Sequence, residues 1–355
     1  MTGHRPPAVD GGSPSARGTT FHVVDVFARD GERFTGNQLA VFHDAADLPD
    51  DELLALTRET NFSECTFVEG TTDGGFDVRI FDPAEEIPFA GHPTLGTAAV
   101  LRELVGDDPT GRGEPATPGD DGADAARDDA ATDRGAVGDE LTLNLGVGPI
   151  DVWVERADGG DRDGGDHDCA DTASDDAREE YWMRQVPPEF GETVPAEVAA
   201  DVLGLDPADV DAEYPVQAMS TGLPTLVVPL ASVDAVERAA TTEPAYGEFI
   251  DEHGGHNVLA FARGGVDGGD LHARVFADWA GVPEDPATGS AAGCLAGWLL
   301  EHGYLGAGPV AATVEQGYEL GRPSRLRLRA HRDADGDPTV EVGGAVVPVA
   351  EGRLL

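Results

Sequence analysis

Arg79-Ile80-Phe81 leading into Glu86-Ile87-Pro88-Phe89-Ala90-Gly91-His92, and Arg274-Val275-Phe276 leading into Glu284-Asp285-Pro286-Ala287-Thr288-Gly289-Ser290, are one phrase written twice in this chain. Each reads as a β-branched and aromatic strand, a Glu-x-Pro-x-x-Gly turn, and a helix of small apolar residues. A duplicated strand–turn–helix predicts two related lobes. It also predicts two helix N-termini, each with a polar side chain directly after a glycine. Such ends present unpaired N–H groups and the positive end of the helix dipole, which suits an anion. If the lobes face each other, a ligand site lies between them.

Outward from the repeat the pattern is α+β with many strands. Residues 21–27 and 39–42 read as strands flanking the Gly36-Asn37 turn, 50–60 as an amphipathic helix, and 64–68 and 76–81 as strands. A helix rich in Ala and Leu is expected over 92–104, and a strand pair over 140–147 and 149–155. The second half repeats this content, with strands over 181–185, 219–229, 257–262 and 270–276, a helix over 287–302, and closing strands over 325–330 and 339–349. The helices at 92–104 and 287–302 are apolar on nearly every side, so protein must surround them. One such helix per lobe among short strands predicts a curved sheet wrapped around a central helix. The expected division is a tail over 1–19, lobe one over 20–148 and lobe two over 149–338, with residues 339–355 able to supply lobe one's last strand. Residues 107–139 and 157–180 hold ten acids each, and three and two arginines respectively, so they read as solvated acidic insertions in lobes one and two.

At 355 residues, 40% of them apolar, the chain can fill two ordinary cores. It has 68 acidic residues against 23 basic ones, all 23 arginine, and a net charge of −45. That charge argues against nucleic acid or anionic membrane as a partner. The charge reads either as an acidic binding protein for cations or basic proteins, or as adaptation to a halophile's salty cytoplasm, where the Debye length falls to about 3 Å near 1 M. Acid spread along the chain and the absence of lysine throughout fit the second. No run of 18 apolar residues exists, and residues 1–20 have no hydrophobic signal core. Cys65, Cys169 and Cys294 are odd in number and lack metal-ligand spacing, so a reducing compartment and no metal are expected.

The chain has no Gly-x-Gly-x-x-Gly after a strand, no P-loop, no Gly-x-Ser-x-Gly and no His-Glu-x-x-His, so the chemistries those motifs carry look absent. Without lysine, Schiff-base chemistry is closed. Acid–base groups remain. Glu64 opens the apolar strand Cys65-Thr66-Phe67-Val68, beside Asn61 and Ser63. It reads either as an exposed strand-end acid or as a desolvated carboxyl suited to proton transfer near neutrality. His92 falls in the first turn of its helix, where the dipole favours the neutral ring, or where it simply packs. Asp285 precedes Pro286 in the matching turn and is either a turn aspartate or a functional acid. Gly289 and Ser290 offer N–H groups and a hydroxyl to a carboxylate, or pack the helix tightly. Arg322, in Gln316-Gly317-Tyr318-Glu319-Leu320-Gly321-Arg322-Pro323-Ser324, either neutralises an anion or buttresses a neighbouring loop.

Five ordered stretches together resemble the PhzF-like isomerases, the phenazine-biosynthesis-type branch of the diaminopimelate epimerase-like fold. They are Asp25-Val26-Phe27 with Gly36-Asn37; Asn61-x-Ser63-Glu64; Glu86 to Pro93; Glu284 to Ala291; and Gln316-Gly317 with Gly321-Arg322-Pro323-Ser324. The resemblance implies an α+β fold of two similar lobes, each a barrel-like sheet around a central helix, with a cofactor-free isomerase site in the cleft and a homodimer. It implies Glu64 as a proton shuttle and His92 and Asp285 as groups that hold the substrate or assist the transfer. Gly91, Gly289 and Ser290 would then bind the carboxylate of a small-molecule substrate. Cys65 departs from the family, which usually has a small hydroxyl residue there. On a strand its side chain should face away from Glu64. Related epimerases use two thiols, and the matching turns here have none. An amino-acid epimerase or racemase of the same fold, or a non-catalytic metabolite-binding protein, are the alternatives. The resemblance does not fix the substrate.

Overall fold

The computed structural model describes residues 18–72, 74–107, 139–157 and 178–355. Nearly all of the expected tail and of both acidic insertions, and Cys169, lie outside the described residues. The first half runs β1 (Thr20–Val26), β2 (Asn37–Phe42), α1 (Asp50–Thr60), β3 (Cys65–Thr72), β4 (Gly75–Phe81), β5 (Glu86–Ile87), α2 (Gly91–Asp107), β6 (Glu140–Leu145), β7 (Gly148–Ala157) and β8 (Arg178–Arg184). The second half opens with β9 (Glu189–Val194), α3 (Ala196–Val202), β10 (Val216–Ser220), β11 (Pro224–Pro229), α4 (Val233–Arg238) and α5 (Ala245–His253). It continues with β12 (Asn257–Arg263), β13 (Leu271–Ala277), β14 (Val282–Asp285), α6 (Gly289–His302), β15 (Val310–Gln316), β16 (Ser324–Arg332), β17 (Pro338–Gly344) and β18 (Val346–Arg353).

Strand pairing makes the duplication explicit. One series reads β18-β1-β2-β3-β4-β6-β7-β8, the other β9-β10-β11-β12-β13-β15-β16-β17. Both follow the same directions: antiparallel throughout, except the third and fifth steps, which are parallel. A parallel step needs a crossover, and helices provide it. In one series α1 and α2 make the two crossings; in the other α4 and α5 make the first and α6 the second. In each series a short strand, β5 or β14, folds back on the strand before the central helix. β8 pairs with β17 and joins the two series. Along the chain, the first series passes to the second between β8 and β9.

The central helices sit where their composition demands. Every residue of α6 from Gly289 to Leu299 is buried, with Trp298 fully so. Truncating Trp298 to Ala would remove about 3–5 kcal/mol. A second apolar cluster packs α3, α4 and α5 on β11 and β12, and a third packs Leu53 of α1 against Phe42, Cys65 and Phe67. Cys65 thus points into packing, away from the cleft.

Some expected boundaries were wrong for identifiable reasons. Residues 219–229 form a hairpin, not one strand, because Gly222 at φ +112° turns the chain. Residues 339–349 split at Ala345, where the chain leaves β16 and crosses to β1. The second central helix starts at Gly289, two residues later than expected, because Thr288 is still extended (φ −112°, ψ 94°).

Candidate active site

The repeated phrase does the same structural work in both lobes. Arg79 donates from Nε and Nη2 to the two oxygens of Glu86 at 2.9 and 2.5 Å, and Arg274 does the same to Glu284 at 2.9 and 2.7 Å. These bidentate pairs clamp β5 and β14 to their neighbours. The prolines then turn the chain into the central helices. The helices meet tip to tip. A Cβ on Gly91 would lie 2.6 Å from Gly289 Cα, and a Cβ on Gly289 would lie 2.9 Å from Gly91 Cα. Only glycine permits this backbone contact. The first-turn N–H groups of both helices have no helical acceptor, so two positive dipole ends converge on one place.

A cavity of about 600 Å³, counting its open mouth, lies at that convergence. The six residues to which the family resemblance gave site roles (Glu64, Gly91, His92, Asp285, Gly289 and Ser290) all line it. The Glu64 side chain is 18% exposed. Its Oε2 is sealed from solvent without a hydrogen-bond partner, and so is His92 Nε2, 3.5 Å away. That distance is within ion-pair range, yet burial drives both groups toward neutrality. Burial, reinforced by the nearby Asp285 charge and opposed by a Ser63 hydrogen bond, raises the Glu64 carboxyl from 4.5 to about 8. Burial lowers His92 to about 3. The neutral imidazole expected from the helix dipole is thus mainly a consequence of desolvation. Burial also raises Asp285 to about 6, against hydrogen bonds from Thr288, Asn37 and Ser63. The two carboxyls titrate as an interacting pair.

Asn37 holds the two lobes' contributions together, and sequence reading passed over it. Its Nδ2 donates to Asp285 Oδ1 at 2.8 Å and to the Ala287 carbonyl at 3.0 Å, and lies 3.3 Å from His92 Nδ1. Ser63 Oγ donates to its Oδ1 at 3.4 Å. Thr288 Oγ1 donates to Asp285 Oδ2 at 2.5 Å, and Gln316 Nε2 to the Asp285 carbonyl at 2.8 Å. The signal for Asn37 and Gln316 was present, since both stand in quoted motifs, but as turn residues. Gly36 at φ +70° makes that turn, and a Cβ there would fall 2.4 Å from the Val26 carbonyl oxygen. Arg322 lies outside the cavity. It donates to the Gly36 and Thr35 carbonyls and to Asp25, holding the loop that presents Asn37.

Strand register assigns each site residue a counterpart in the other lobe. Cys65 pairs with Phe81 as Val258 pairs with Phe276, so Glu64 corresponds to Asn257. Ala40 pairs with Cys65 as Leu226 pairs with Val258, so Asn37 corresponds to Leu223. His92 corresponds to Ser290, and Asp285 to Ile87. Every titratable group of the core constellation therefore lies on one side of the pseudo-twofold axis. The opposite side carries Leu223, Asn257, Ser290 and Ile87.

A model of the phenazine biosynthesis-like protein family (PhzC-PhzF) matches residues 24–112 and 144–352. The chain belongs to this family. It is similar to the trans-2,3-dihydro-3-hydroxyanthranilate isomerase of Pseudomonas aeruginosa, 33% identical over 93% of this chain and 97% of the relative. A solved PhzF-family phenazine biosynthesis protein of Bacillus anthracis superposes with a TM-score of 0.74, at 22% identity, covering 95% of this chain and 99% of that one. A probable proline racemase of Agrobacterium radiobacter, at 10% identity and a TM-score of 0.53, covers 95% and 93% and shares the fold alone. This PhzF-family chain is an isomerase with the diaminopimelate epimerase-like α+β fold. Among the described residues no helix is long and apolar enough to cross a membrane.

Proposed function

We propose that this isomerase relocates a proton on a small carboxylate-bearing metabolite without a cofactor, with Glu64 as the acid–base shuttle. The observation that carries the reading is the sealed, partnerless Glu64 Oε2 facing the equally partnerless His92 Nε2 at the joined helix tips. A carboxyl poised near 8 is roughly one-tenth ionised at pH 7, so donor and acceptor forms are both within reach. In the reaction the Glu64 carboxylate takes a proton from one carbon, and that C–H electron pair moves into the adjoining π system. The substrate carboxylate, seated on the Gly91 and Gly289–Ser290 N–H groups, bears the charge that develops. Glu64 then returns the proton to a second carbon. His92 and Asp285 hold the substrate, and the Asp285 charge together with burial keeps the shuttle's proton affinity high. Nothing is oxidised or reduced, so neither a redox partner nor an external base is needed.

The one-sided placement of titratable groups supports this reading over a two-base epimerase, which needs an acid or base on each face of a stereocentre. Cys65 and Cys294 are both fully buried, and burial raises both thiols, Cys65 to about 11. The test is C–H exchange in D2O, followed by NMR in molar salt. trans-2,3-Dihydro-3-hydroxyanthranilate is offered first and a metabolite extract second. Glu64→Gln should lower exchange by about 10²–10⁴-fold. An unchanged rate in that variant would defeat the assignment. A ligand that binds tightly but never exchanges would favour a non-catalytic binder.

A further inference from the structure

The counterpart of the shuttle position is Asn257, only 5% exposed and lining the same cavity. Trp279 Nε1 donates to its Oδ1 at 3.3 Å. An indole N–H is a donor only, so it fixes which end of the amide is oxygen and turns Nδ2 away from itself. Asn257 Nδ2 has no hydrogen-bond partner among the described residues, and the residue that carries it lines the cavity. The tryptophan is built into place. It stands on the connection from β13 to β14, which has seven residues between Phe276 and Glu284 where lobe one has four between Phe81 and Glu86. Its backbone N–H donates to Tyr246 Oη at 3.0 Å, and its ring lies so close to Gly255 that a Cβ there would fall 2.6 Å from Cε3. Trp279 remains 40% exposed at the rim.

We infer that Asn257 is a specificity-determining residue whose Nδ2 donates to an uncharged oxygen acceptor, a carbonyl or hydroxyl, carried on the substrate's side away from Glu64. Trp279 locks the amide in the donating orientation and walls that side of the ligand. This rests on the cavity being the substrate site proposed above, and it narrows the substrate class to oxygen-substituted carboxylates.

The probes are cyclohexanecarboxylate and its 3-oxo and 4-oxo derivatives, titrated calorimetrically into the full chain. A ketone only accepts, so it reports a donor. The wild type should bind at least one oxo acid about tenfold more tightly than the plain ring acid, the worth of one good hydrogen bond. Asn257→Leu should bring that ratio to within about twofold. Asn257→Asp keeps an acceptor for Trp279 but replaces the donor, and should push the ratio below one. Each ratio compares ligands on the same protein, so a general loss of affinity cancels. A wild-type ratio near one for both oxo acids, or a tenfold ratio surviving in Asn257→Leu, overturns the inference. Glu64→Gln should keep the wild-type ratio, so a failed proton-shuttle test with an intact ratio would strike the shuttle alone.

Discussion

Replacing Glu64 with Gln should stabilise the fold in neutral and alkaline solution while it disables the chemistry. In an unfolded chain this carboxyl releases its proton near 4.5; in the folded protein it retains it to about 8. Below 4.5 both states hold the proton and the group contributes nothing. Between those values the unfolded state ionises and the folded state does not, so stability falls as pH rises. Above about 8 the loss is complete. Each tenfold difference in proton affinity is about 1.4 kcal/mol, so the cost approaches roughly 4–5 kcal/mol above pH 8 and about 3 at pH 7. Interaction with Asp285 spreads part of this over the pair, so about 2–4 kcal/mol at pH 7 is the expected range. The side chain is only 18% exposed, so solvent screening removes little of it. Gln has the shape of the protonated acid and does not titrate. Urea unfolding of both proteins at fixed salt should give a difference below about 1 kcal/mol at pH 5 that widens to its maximum above pH 8. A variant no more stable than wild type at pH 8, or one with the same gain at every pH, would refute the buried, proton-retaining carboxyl.

Three further outcomes are expected. Gly91→Ala places a methyl 2.6 Å from Gly289 Cα, where carbon contact needs about 3.5–4.0 Å, so it should cost about 1–3 kcal/mol and lower Tm; an unaltered Tm would mean the helix tips do not touch. Asp285→Asn removes a charge that raises Glu64, so the limb of the pH–exchange profile governed by Glu64 should move to lower pH, and a stationary limb would take Asp285 out of the electrostatics. With a net charge of −45, the unfolding temperature should climb steeply from about 0.1 to 1 M KCl as the Debye length falls from about 10 to 3 Å; a flat response would dispose of the salt-adaptation reading.

The duplicated phrase was legible because each element is local: a strand, a clamp from Arg to Glu ten or fewer residues on, and a helix start. Local patterns also placed Glu64, His92 and Asp285 at strand and helix ends, which the fold gathers into one cavity. What could not be read was convergence across the lobes. Asn37 reaches Asp285 over 248 residues, and neither local pattern implies the other. Nor could the asymmetry be read, since equating Asn257 with Glu64 or Leu223 with Asn37 takes strand register, and beyond a glycine before both Asn37 and Leu223 their immediate neighbours differ. The short helices α3 and α4, at seven and six residues, offer too few turns for periodicity to speak. β9 is exposed along nearly its whole length and lacks the alternation that marks a half-buried strand.

The meeting of Gly91 and Gly289 has a consequence for ligand choice. Where main chain rests on main chain there is no rotamer to swing aside, so the span between the two rows of amide hydrogens is set by atomic radii. That span behaves as a fixed gauge. A planar two-oxygen anion and a bulkier tetrahedral one such as phosphate are measured against the same rigid gap, and widening it for the larger would mean prying the halves of the molecule apart.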